Sequence, residues 1–212
     1  MKSIECFLVL VLLFAGVTLI SCDQQTTTMT NESPQITTTA TTSGAGRYQG
    51  LGLTEDQIKM LEEQGMANIE SREKASAIAG FDIAVPSFVP EGFVPGKFMI
   101  NISGAGLPAD MAPKFNNTKV QQVFTRKGDR SVMFTLIQGT HPFGIGGGEP
   151  IEIDGLQVEK TVSYESSEDG QQFERLTYGW EKNGLYFALT GIMAGGLDEA
   201  VMKQILLSVS AE

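Results

Sequence analysis

Histidine, cysteine and tryptophan are almost missing from this chain: one histidine, two cysteines and one tryptophan in 212 residues. With His141 as the sole imidazole, a nucleophile–histidine–acid triad has a single possible base, and it sits in the loop-like Gly139-Thr140-His141-Pro142-Phe143. Cys6 and Cys22 are too few for a zinc cluster, and no Cys-x-x-Cys pair is available for redox work. Positive charge is also short. Fifteen Lys and Arg stand against twenty-five Asp and Glu, a net charge of −10, which argues against nucleic acid as a partner because phosphate contacts need cations. Gly144-Ile145-Gly146-Gly147-Gly148 has neither the Lys-Ser/Thr nor the following helix pattern of a phosphate loop and reads as a flexible loop. Glu165, Glu168 and Asp169 gather near Gly170, but not at the spacing of a calcium-binding hand, so they read as a solvated hairpin tip. These absences leave no catalytic residue, cofactor or metal site to name, and the expectation is that the protein is not an enzyme.

One long apolar run is present. Met1-Lys2 leads into fifteen apolar or small residues, Cys6 to Ile20, and Ser21 and Cys22 follow. A charged start, an apolar stretch of this length and a small residue describe a secretory signal rather than a spanning helix. The ending Leu19-Ile20-Ser21-Cys22 resembles the bacterial lipoprotein signal, in which a branched apolar residue, a tolerant position and a small residue precede the cysteine that carries the lipid. The resemblance implies cleavage before Cys22, a diacylglyceryl thioether on its thiol and acylation, such as palmitate, of its amine. Two or three chains at roughly 0.8 kcal/mol per buried CH₂ would hold the protein to the cell membrane on its extracytoplasmic side. Lys2, Glu5 and Cys6 would leave with residues 1–21, so the mature net charge stays at −10 and no second cysteine remains for a disulfide. Residues 22–50 then form the lipidated cysteine and a tether. Nine threonines and one isoleucine between positions 23 and 46 cannot bury enough apolar area to order the segment, which gives it a reach on the order of 25–30 Å.

Residues 51–212 read as a single α+β domain. Thr54 with Gln57 forms a capping box ahead of a helix carrying Ile58 and Leu61 and interrupted at Gly65. A second helix begins at Ser71, turns Ala75, Ile78 and Ala79 inward and ends at Gly80. The prolines of Phe81–Phe93 forbid helix and predict a short strand and a rigid turn that sets Phe81, Phe88 and Phe93 against the core. Strands follow. Lys97–Ser103 is one. Val120–Thr125 pairs with Val132–Ile137 across Gly128-Asp129, which with a two-residue loop puts Phe124 opposite Met133 and Val123 opposite Phe134 and leaves both faces largely apolar. Asp154-Gly155 joins Ile151–Ile153 to Leu156–Val158 with one wet face. Asn183-Gly184 suits a type I′ turn that sets Trp180 opposite Phe187 and Tyr178 opposite Leu189, with Leu176 on the same face, so Trp180 reads as a core residue rather than a ligand-stacking one. Leu197-Asp198-Glu199 opens a last helix with a stripe of Val201, Ile205, Leu206 and Val209.

The stretch from Ala75 to Phe81, then Val85-Pro86-Ser87-Phe88-Val89-Pro90-Glu91-Gly92-Phe93, resembles the opening signature of a bacterial extracytoplasmic domain of unknown function. That domain occurs in envelope lipoproteins and in the outer portions of anti-sigma-like membrane proteins. The closing run from Trp180 to Leu189, with Leu197-Asp198-Glu199 and Leu207-Ser208-Val209, is similar to its last hairpin and helix. The likeness covers about residues 71–210. Departures are Val89, where Leu is commoner, and the glycine-rich insertion at 144–148. The resemblance implies an α+β fold in which a curved antiparallel sheet, of about six to seven strands here, packs with N-terminal and C-terminal helices. It brings no catalytic residue. Two functions follow as expectations: a lipid-anchored binding or sensing module for an envelope protein or polymer, or a carrier that holds an apolar ligand or lipid in a sheet-lined groove. Helices on opposite faces of the sheet would close the groove that the carrier needs.

Overall fold

A computed structural model describes residues 48–103, 117–143, 147–166, 170 and 172–210. The signal segment, Cys22 and the tether up to residue 47 lie outside the described residues, as do parts of the glycine-rich loop and of the acidic hairpin tip. Tyr48, expected in the tether, is buried in the core with Leu61 and Phe98, so the folded domain begins before residue 51.

Three helices and an open antiparallel sheet of eight strands make an α+β fold. Helix α1 (Glu55–Gln64) is opened by the predicted capping box. The Thr54 hydroxyl accepts from Gln57 N, the Gln57 side chain accepts from Thr54 N, and Gly65 closes the helix in the left-handed conformation. Strand β1 (Met66–Ile69) follows at once. It is too short for its alternation to stand out in the sequence, and it is what raises the sheet above the expected six to seven strands. Helix α2 (Arg72–Ala79) starts at the Ser71 cap and ends at Gly80, with Ala75, Ile78 and Ala79 buried as expected.

Strand β2 (Val85–Pro86) stands apart from the main sheet and pairs with β10 (Val209–Ser210) at the chain's far end. The proline-rich stretch around it sets Phe93 in the core and packs Phe81 beside it, but Phe88 is 37% exposed. Pairing with β10 fixes the segment there by its backbone, Ser87 N donating to Ser208 O at 3.0 Å, so Phe88 is not needed to anchor it.

The sheet consists of two meanders. Strands β3 (Phe93–Ile102), β4 (Thr118–Arg126) and β5 (Asp129–Gly139) run up and down from β1 to the centre. The chain then crosses to the far edge and returns through β6 (Glu149–Ile153), β7 (Leu156–Ser166), β8 (Gln172–Lys182) and β9 (Leu185–Ile192), so that β9 pairs with β5. The last hairpin has the expected register: Trp180 opposite Phe187 and Tyr178 opposite Leu189, with Asn183 and Gly184 both at positive φ. Trp180 and Phe187 stack at 5.1 Å and are buried.

The β4–β5 register differs from the expected one. Phe124 lies opposite Phe134, stacked at 4.5 Å, and Val123 opposite Thr135. The Asp129 carboxylate accepts from the backbone and hydroxyl of Ser131 at 3.1 and 2.5 Å, which draws Arg130–Val132 out of the ladder and shifts the pairing beyond the turn. The shift sends Val120, Phe124, Phe134 and Leu136 to one face, and Gln121, Val123, Met133, Thr135 and Ile137 to the other. The second face is therefore mixed, not apolar.

Helix α3 (Glu199–Ser208) is capped by Asp198 and buries Met202, Ile205 and Leu206. Met202, absent from the expected stripe, is fully buried, while Val201 is only partly so. The helix crosses the sheet at Gly191, where a Cβ would meet Leu197 and Met202 at 2.9 Å. All three helices pack on the same face. Helices α1 and α2 cover Phe98, Ile100 and Val120, α3 covers Phe134, Tyr178 and Leu189, and the strand registers put all six on one side.

Candidate functional site

No described helix covers the second sheet face. Strand alternation sorts neighbouring charges between the two sides. On β7 and β8, Lys160 and Lys182 point to the helix face while Glu159 and Glu181 point to the open one. Lys160 is held there by Glu199, 2.9 Å away at the first turn of α3. Lys203 reaches the same carboxylate at 3.0 Å, and the Tyr178 hydroxyl donates to it at 3.3 Å. Hydrogen bonds from Lys160 and then Lys203 pull the Glu199 carboxyl down to about 2, and burial next to that carboxylate pushes the Tyr178 phenol up. These side chains brace α3 on the sheet.

The open face hollows where three adjacent strands carry little side chain. Gly179 lies opposite Glu159 on one side and Ala188 on the other, and Ala188 lies opposite Ile137. One step along, Glu181 faces Tyr186 and Tyr186 faces Gly139. Gly139 has to be glycine, because a Cβ would come within 2.6 Å of Thr118 O and 3.2 Å of the Phe143 ring. That ring therefore folds back over the open face. The result is a cleft of about 370 Å³ with Gly179 at its floor and Phe143, Tyr186, Glu159 and Glu181 around it. Neither glutamate makes an ion pair or hydrogen bond with another described residue. Directly opposed strand residues sit about 5 Å apart and diagonal ones about 7–8 Å, which places the two carboxylates as diagonal neighbours on one side of the hollow. The open-face cation in the same row, Lys119, lies opposite Gly139, two strands from Tyr186 and beyond the Phe143 ring.

Beside the cleft runs a row of hydroxyls: Thr135, Thr190, Thr177 and Thr161 are opposite one another across β5, β9, β8 and β7. Thr177 and Thr190 share a hydrogen bond of 2.9 Å.

The residues weighed from sequence fall elsewhere. His141 is exposed, its Nδ1 3.0 Å from the Thr140 hydroxyl. Glu165 pairs with Arg175 at 2.6 Å, and Glu168 and Asp169 lie outside the described residues. Trp180 is in the core, as expected, and its strand also borders the cleft. Glu159, Glu181, Tyr186 and Phe143 carried no motif. The signal that could have found them is the Glu-Lys pair repeated on two strands, Glu159-Lys160 and Glu181-Lys182, which alternation must split between faces. Among the described residues no three His, Cys, Asp or Glu side chains gather as a metal site would require, and no helix is long and apolar enough to cross a membrane. Compared with known proteins, the chain matches no family model, no curated protein and no solved structure.

Proposed function

We propose that this protein is a lipid-anchored, extracytoplasmic binding module of the bacterial envelope, without catalytic activity, that engages an envelope partner through the open face of its sheet. The observation that carries the reading is the one-sided packing of the helices: an eight-stranded sheet covered on one face and hollowed into a cleft on the other. Surface loops and uncovered sheet faces hold binding sites on rigid scaffolds. The Leu19-Ile20-Ser21-Cys22 ending supplies the anchor in this reading, and the threonine-rich segment supplies the reach.

An apolar carrier fits less well. Threonines and Gln121 interrupt the apolar positions of the open face, and two carboxylates border a cleft near the small end of ligand-site volumes. Burying either charge against an acyl chain costs several kcal/mol.

Benzoylphenylalanine placed in turn at Met133, Ile137 and Leu207 tests the reading in living cells. Discrete cross-linked adducts are expected from the two open-face positions and none from exposed Leu207 on α3. Adducts from Leu207 alone would move the binding face to the helices. The anchor is tested by mass spectrometry of the native protein, with a diacylglyceryl-modified Cys22 as the first residue expected and an unmodified or uncut chain counting against it.

A further inference from the structure

The cleft's chemistry narrows what it takes, given the reading of the open face as the binding face. Two carboxylates point into the hollow from adjacent strands, unpaired among the described residues, while the lysines next to them in sequence face the other side. Among the described residues no cation lines the cleft, and the whole chain carries −10. Glu159 and Glu181 as diagonal neighbours repel one another in the empty cleft, a repulsion that a single shared cation removes. Phe143 and Tyr186 add two ring faces, which attract an ammonium or guanidinium and also accept an alkyl stem. At about 370 Å³ the space suits one long side chain and not a polymer or a fatty chain.

We propose that this cleft is a recognition pocket for a lysine or arginine side chain displayed by an envelope protein. The alkyl stem lies over Gly179 between the two rings, and the charged head is held by Glu159 and Glu181. The pocket selects a cation on an apolar stem, and its position on the open face lets the rest of the partner spread over Ile137, Thr135 and the threonine row.

Binding is read by isothermal titration calorimetry, because the Trp180 ring lies on the helix-covered side of the sheet, away from the cleft. The full-length protein is titrated with acetyl-Gly-Lys-Gly-amide, with its arginine counterpart, and with versions carrying norleucine or Nε-acetyl-lysine at the same place. Saturable binding of the lysine and arginine peptides is expected, about tenfold or more tighter than the two neutral ones, as for the loss of a charge-assisted contact. Glu181→Gln weakens the lysine peptide by about three- to tenfold and Glu159→Gln by a similar factor, with raised salt mimicking both. Gly179→Val, at a strand position without positive φ, fills the floor and removes binding while the melting temperature shows that the fold is kept. Equal affinity for the norleucine peptide, unchanged affinity in the double Gln variant, or preference for an N-acetylglucosamine oligomer would overturn the proposal. The cross-links at Ile137 keep the two readings apart. If they persist while every basic peptide fails, the open face still binds and the ligand class is wrong; if they vanish too, both fall.

Discussion

Gln138 shows how much a single polar side chain can carry. It is 2% exposed, and its amide makes two hydrogen bonds with the same backbone unit, accepting from Ala84 N at 2.8 Å and donating to Ala84 O at 2.9 Å. A side chain from β5 thus stands in for a missing strand partner of the segment that leads into β2. Gln138→Met keeps the volume but leaves a buried N–H and C=O with no partner, at about 1–3 kcal/mol for each orphaned group. Urea denaturation should show a loss of about 2–4 kcal/mol, against no more than about 0.5 kcal/mol for Gln121→Met on the open face. Equal losses at the two positions would contradict the role given to Gln138. Glu199 gives a pH-dependent counterpart. Its folded pKa of about 2 lies below the ordinary 4.5, so the folded state binds fewer protons there. Its contribution is complete above about pH 4.5 and is lost as the pH falls towards 2. The carboxylate is 44% exposed, which limits the effect to about 1 kcal/mol or less. The stability gap between the wild type and Glu199→Gln, measured by urea midpoints, should therefore be present at pH 6 and closed near pH 2. A gap constant with pH would point to packing instead.

At the level of elements, whatever is decided within a few residues could be read directly. The Thr54 box, the Ser71 and Asp198 caps, the glycine stops and the Asn183-Gly184 and Asp154-Gly155 turns all state their geometry locally. The last hairpin's register follows from its turn, and the cross-strand stack of Trp180 on Phe187 follows from the register. Gly184→Val should accordingly lower stability by about 1–2 kcal/mol, since a β-branched residue is forced to a φ of 74°. Asn183→Gly, which relaxes the same turn, should leave thermal melting nearly unchanged. Where a side chain rewrites the backbone the local reading fails, as at Asp129, whose bond to Ser131 shifts the β4–β5 ladder and exchanges Met133 for Phe134 opposite Phe124. The cleft was illegible for another reason. It needs Gly179, Ala188 and Ile137 side by side, and only the insertion of β9 between β8 and β5 provides that. No pattern within β9 dictates which strand it joins on its outer side.

At the scale of the whole molecule, the helix-covered face holds two apolar clusters: one under α1 and α2 with Phe98 and Ile100, the other under α3 with Phe134, Tyr178 and Trp180. Separate clusters often mean separate unfolding, but three features join these two. Strand β4 belongs to both, contributing Val120 to the first and Phe124 to the second. Adjacent residues Ile83 and Ala84 fall on opposite sides of the division, and Gln138 ties Ala84 to β5 at that seam. The ladder also continues without a break from β3 through β4 and β5 to β9. Losing either cluster would expose the strand edges and backbone groups on which the other rests, so the two should unfold together. Ile78→Ala removes about 2–4 kcal/mol from the α2 cluster, and Trp180 emission, which senses only the α3 cluster, should shift its urea midpoint as far as the far-ultraviolet circular dichroism does. A Trp180 midpoint that stays in place while the dichroism turns biphasic would mean that β4 is a hinge between two independent halves. The floor of the cleft, centred on Gly179 between Glu159 and Ala188, would then keep its shape when the α1–α2 half is lost.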